Sequence, residues 1–126
     1  MTKIYNLDSS KLNALDINLA AELLAYSVDL VLIVDRSGVI EKCINGSKPI
    51  SSNTSSLIGK KWLDTVAIDS QPKVNALLKT SEDPDEQKWR QVNQEIDGSA
   101  SFPIQFSTIY FAKQNKLIAI GKDLSN

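Results

Sequence analysis

Histidine is absent from the 126 residues, and the loss of that one residue type excludes a good deal of chemistry. It removes the commonest metal ligand, the commonest general base and the usual axial ligand of haem. Cysteine is nearly absent too. Cys43 stands alone, so no intrachain disulfide framework can form, and a reducing cytoplasm is the expected compartment. No apolar run approaches the ~20 residues of a membrane span. The opening MTKIYNLDSS lacks the basic-then-apolar layout of a signal peptide. Charge of either sign is not in excess: 14 basic and 15 acidic residues leave −1. A nucleic-acid footprint needs a basic surface, so direct nucleic-acid binding by this chain is not expected.

Two clusters that hint at ligands fall short of a pattern. Glu82, Asp83, Asp85 and Glu86 surround Pro84 with no glycine-punctuated loop to frame a cation, and they read as a solvated loop. Asn45-Gly46-Ser47-Lys48-Pro49 lacks the second glycine of a phosphate loop and reads as a turn. No metal and no cofactor is expected, and no enzymatic activity.

What is present is apolar patterning. With 42% hydrophobic residues, a chain of this size hides roughly 65–70% of its unfolded surface in one core. Residues 1–11 are polar and read as a flexible tail; 12–126 read as a single domain. Leu12, Leu15, Leu19, Leu23 and Tyr26 recur at helical spacing from 12 to 26, and Asp16 is placed to cap the helix proper. Ile17, Ala20, Ala21 and Leu24 widen the apolar surface beyond that one stripe. Such a helix can touch both its own domain and a second copy, and the five-residue stripe is the expected dimer interface.

Leu30–Val34 and Val39–Ile44 flank the turn Asp35-Arg36-Ser37-Gly38 and make a hairpin. A Ser/Asn/Gly/Pro loop over 45–56 follows, then short helical turns with Trp62 and Val66 facing inward. Asp69 or Ser70 caps the next helix, Pro72 sits in its first turn, and Val74, Leu77 and Leu78 are its buried face. A mostly polar strand over 87–96, anchored by Trp89 and Val92, turns at Asp97-Gly98. In the next strand Phe102, Ile104, Phe106, Thr108 and Tyr110 share a face, with Gln105 and Ser107 opposite. Pro103 cannot donate to a ladder, so it belongs at a strand start or bulge. After the turn AKQNK, Leu117–Ile120 is apolar on both faces, as suits the middle of a sheet. Helices bunched between antiparallel segments mean α+β.

Asp29-Leu30-Val31-Leu32-Ile33-Val34-Asp35 with Gly38-Val39-Ile40, then Leu57-Ile58-Gly59-Lys60, then Gly121-Lys122-Asp123-Leu124-Ser125 together resemble a PAS domain over residues 16 to 125. The resemblance implies a five-stranded antiparallel sheet with short helices on one face and an N-terminal amphipathic helix. It also implies a cavity between sheet and helices, which Ile33, Cys43, Trp62, Val66, Leu77, Phe106 and Ile118 would line; a lining so apolar favours a packed core over a dedicated ligand site. Cys43 reads as a buried apolar thiol, outside any photoadduct motif.

More narrowly, Trp62-Leu63-Asp64-Thr65-Val66, Pro72-Lys73-Val74 with Leu77-Leu78, Trp89-Arg90-Gln91-Val92-Asn93, Phe102-Pro103-Ile104 and Gly121-Lys122-Asp123-Leu124 resemble the PAS modules of PpsR/CrtJ-type transcriptional repressors. Those regulators carry several PAS modules and a C-terminal helix-turn-helix. The resemblance therefore implies a dimerising regulatory module within a longer protein, partnered by other PAS or effector domains. The alternative is a small-molecule-binding PAS sensor of a histidine kinase or another signalling protein.

Overall fold

In a computed structural model of the chain, residues 14–79, 88–97 and 100–125 are described. Leu12, the acidic group Glu82 to Glu86 and Gly98 lie outside them. The described elements run α1 (Ile17–Leu24), β1 (Leu30–Val34), β2 (Ile40–Asn45), three single 3-10 turns (Thr54–Leu57, Trp62–Thr65, Ile68–Ser70), α2 (Gln71–Leu78), β3 (Arg90–Ile96), β4 (Ala100–Phe111) and β5 (Lys116–Asp123). The strands form one five-stranded antiparallel sheet in the order β2-β1-β5-β4-β3. The continuous apolar run in β5 thus lies at the centre of the sheet, with β1 on one side and β4 on the other.

The two faces of the sheet bury different things. Leu30, Leu32, Val34, Ile104, Phe106, Leu117 and Ala119 pack with Trp62, Val66, Val74 and Leu77 on the side of the short helices. Val31, Ile33, Ile109, Phe111, Ile118 and Ile120 pack against Ile17, Ala20, Ala21 and Leu24 of α1. The alanines bring α1 close to the sheet because they carry almost no side chain to hold it off.

α1 is shorter than its apolar pattern. The Asp16 carboxylate accepts from the amides of Asn18 and Leu19 at 3.1 and 3.2 Å and starts the helix there. It ends where Tyr26 and Ser27 donate to Leu23 and Leu24, tightening the last turn. In the β1–β2 turn, Gly38 adopts φ +88, which favours glycine. Asp35 accepts from the Ser37 amide, the Ser37 hydroxyl and the Val39 amide at 2.9, 2.7 and 3.0 Å. Burial alone would raise that carboxyl, but these bonds and nearby Lys116 outweigh it and hold it below its usual value.

Two local expectations are corrected. Pro103 is neither at the strand start nor at a bulge; it sits in regular register opposite Asn93. Its carbonyl accepts from Leu124, and in a strand the nitrogen faces the same way as the carbonyl. The missing donor therefore points past the end of β5, where the ladder has stopped. Ser70 does stand at the N-terminus of α2, but no side-chain bond caps that helix. Its hydroxyl accepts from the Asn93 amide of β3 at 2.9 Å instead, tying the helix to the sheet edge.

Candidate functional site

The interior between the sheet and the short helices is organised by Trp62. The β1–β2 turn and the start of β2 fix its backbone: the Trp62 amide donates to the Gly38 carbonyl, and the Ile40 amide donates to the carbonyl of Lys60, two residues before Trp62. Its ring is fully buried and meets Phe106 edge-on, centroids 5.1 Å apart. The indole N–H donates to Gln94 Oε1 at 3.0 Å. The Gln94 amide nitrogen in turn donates to the Thr65 hydroxyl at 2.8 Å and to the carbonyls of Thr65 and Glu95 at 3.0 and 3.1 Å. The Thr65 hydroxyl closes the ring by donating to the Trp62 carbonyl at 2.7 Å. A buried amide and a buried indole are thus satisfied by each other, as a low-dielectric interior requires. Nearby, the Thr108 hydroxyl donates to the Leu77 carbonyl at 3.0 Å and pins α2 to β4.

Of the seven residues expected to line a cavity, Trp62, Val66, Leu77 and Phe106 meet in this core, and Cys43 packs at its margin. Ile33 and Ile118 do not join them. Both face α1 on the other side of the sheet, opposite each other in the β1–β5 ladder. The reason is parity: Leu32, Val34, Leu117 and Ala119 take the helix-side positions, and the residues between them must point the other way. Cys43 is half-buried, and burial pushes its thiol up to about 11 although a hydrogen bond with Thr54 works against the rise. Such a thiol stays protonated and is a poor nucleophile.

Gln94 is the residue the sequence reading passed over. A signal for it exists: it falls between Val92 and Ile96 at period two, all three on the buried face of β3.

On the other side of the sheet, α1 carries the expected stripe outward. Leu15 is partly buried against the α1-side core, while Leu19, Leu23 and Tyr26 are 48%, 49% and 86% exposed. A separate cleft of about 310 Å³ lies between the β1–β2 and β4–β5 turns, with Leu78 and Leu117 against Arg36, Tyr110, Asn115 and Lys116. Lys116 is held there by Glu41 at 2.6 Å. Among the described residues no three Cys, Asp or Glu side chains gather as a metal site, and no helix is long and apolar enough to cross a membrane.

No family model and no curated protein sequence matches this chain. Solved structures do. The PAS domain of an HTR-like protein from Haloarcula marismortui superposes with a TM-score of 0.60 at 17% identity, over 92% of this chain and 96% of that one. The PAS domain of the RpfR quorum-sensing receptor from Cronobacter turicensis, in complex with BDSF, gives 0.55 at 13% identity, over 79% and 96%. A methyl-accepting chemotaxis protein from Vibrio parahaemolyticus gives 0.52 at 19% identity, over 92% and 78%. With helices on one face of an antiparallel β2-β1-β5-β4-β3 sheet and an amphipathic helix on the other, this chain has the PAS fold.

Proposed function

We propose that this chain is a sensory and regulatory PAS module that works through protein–protein contacts, in a reducing cytoplasm, within a PpsR/CrtJ-like transcriptional regulator. It forms a homodimer through α1 and passes changes in that contact to other PAS or effector domains. It is not an enzyme, and it does not itself touch nucleic acid. One observation carries this reading. The inward face of α1 is already satisfied by Ile17, Ala20, Ala21 and Leu24, yet Leu19, Leu23 and Tyr26 form a second apolar stripe left exposed. A soluble helix normally turns charged or polar residues to water, and an apolar stripe there marks a contact surface.

The mechanism is a population shift between packings of the paired helices. Leu19→Glu and Leu23→Glu place charges in the interface and should lower the association state, measured by light scattering across concentration, while circular dichroism keeps the wild-type spectrum. An unchanged profile, or a wild-type chain that is monomeric throughout, refutes the reading.

A second reading is a small-molecule sensor. Two RpfR PAS structures favour it, solved with BDSF and with C12:0. Here Trp62 and Phe106 fill the region between sheet and helices, which weighs toward the packed core. Native mass spectrometry after gentle purification separates the two readings: a reproducible added mass supports the sensor.

A further inference from the structure

We propose that Asp29 is a positioning residue that latches the end of α1 to the end of β5, so that displacement of the helix reaches Asp123 and the residues that follow it. This rests on the reading that α1 is the moving part. Pairing between β1 and β5 ends at Leu30 opposite Gly121. One residue earlier, the Asp29 amide donates to the Gly121 carbonyl at 2.9 Å. By the two-residue period of a strand, the Asp123 amide faces the same way as Gly121, but β1 has no further backbone group to offer it. The Asp29 carboxylate takes that place and accepts from the Asp123 amide at 2.8 Å. On the other edge Leu124 donates to the Pro103 carbonyl at 2.9 Å. The Asp123 carboxylate then bends the chain by accepting from the Ser125 amide and hydroxyl at 3.0 and 2.6 Å.

Asp29 stands between α1 and the sheet. On the helix side Ser27 bonds back to Leu24, and Val28 is buried among the residues that pack under α1. On the sheet side the Asp29 carbonyl accepts from Gly46, the residue after β2, at 2.9 Å, and a Cβ on Gly46 would lie 2.0 Å from the Val28 carbonyl oxygen, so these two backbones are in close contact. A shift of the helix end would reach Asp29 through Ser27 and Val28, and Asp29 holds Asp123. A carboxylate suits the role because it only accepts, and a charged acceptor binds an amide more strongly than a neutral one.

Amide hydrogen exchange by NMR tests the latch, run on the Leu19→Glu background as well as on wild type. Asp29→Ala should lower protection of the Asp123 amide about ten- to hundredfold, with Ile118 and Ile120 unchanged as the control for folding. Asp29→Asn keeps an acceptor oxygen and should retain most of the protection. Spin labels at Glu22→Cys and Ser125→Cys, with Cys43→Ser, should show a broader distance distribution once Asp29 is alanine. Unchanged protection and unchanged width overturn the latch. Loosening seen in the chain carrying Leu19→Glu supports it whether or not the helix mediates dimerisation, so the two ideas fail separately.

Discussion

Replacing Gln94 by leucine keeps the volume of a fully buried side chain and removes every polar atom that the indole N–H of Trp62 can reach through it. The N–H stays buried, and an orphaned donor costs about 1–3 kcal/mol. For a domain of this size a loss of about 2 kcal/mol lowers Tm by roughly 5–10 °C. The decisive test is the cycle. Trp62→Phe removes the N–H and some volume, at about 1–3 kcal/mol by analogy with other core truncations. In that background Gln94→Leu leaves no indole donor stranded, so it should cost less by about 1 kcal/mol or more, within the range of contacting pairs. Equilibrium urea unfolding followed by far-ultraviolet circular dichroism measures all four chains. A neutral Gln94→Leu, or costs that add to within about 0.5 kcal/mol, would show that the buried bond does not hold the Trp62–Thr65 turn to the sheet.

Two glycines should differ in kind. A Cβ on Gly46 meets a backbone carbonyl at 2.0 Å, whereas one on Gly121 meets the Ile104 and Phe106 side chains at 2.8 Å; Gly121→Ala should cost about 1–3 kcal/mol as ordinary overpacking, and Gly46→Ala should cost more, in the same urea titration, with equal costs refuting the distinction. The Cys43 thiol, pushed up to about 11, should react slowly with a thiol reagent at pH 8 and at full speed in denaturant. Because the folded chain holds that proton more tightly than the unfolded one, stability should be flat below about pH 9 in this respect and fall between about 9 and 11. Cys43→Ser should remove that fall, and an alkaline profile identical to wild type would refute the assignment.

The strands were legible because their periods are clean. Leu30–Val34 and Leu117–Ile120 are apolar on both faces and occupy the second and third places in the sheet; the period-two set Phe102 to Tyr110 faces the short helices throughout. What period two does not give is absolute phase between strands. Ile33 and Ile118 look equivalent to Leu32 and Ala119 in a fully apolar run; the register Ile33 opposite Ile118 puts the two on one face, and their packing with Ile17, Ala20, Ala21 and Leu24 makes that the α1 face. The helix had the same difficulty. Leu15, Leu19 and Leu23 make the stronger-looking stripe, yet the sheet accepted Ile17, Ala20, Ala21 and Leu24, because two alanines let the backbone lie closer than a row of leucines would.

Polar residues inside the fold were the least legible, and for one reason. A buried amide is stable only if its partners arrive from distant parts of the chain, and those partners do not appear in the local pattern. Gln94 finds Trp62 across 32 residues, and Asp29 finds Asp123 across 94. Both bonds join segments that backbone hydrogen bonding leaves incompletely tied: a 3-10 turn beside an edge strand, and the end of a central strand beyond its ladder. Side chains with acceptors do there what the backbone does elsewhere. The interior bond joins the short helices to the sheet, while the other fixes the corner where the segment after α1 meets the end of β5. If contact between modules is what this domain transmits, the corner matters more than the interior, since bonds from Ser27 to Leu24, from Asp123 to Asp29 and from Ser125 to Asp123 follow one another there along a short stretch of chain.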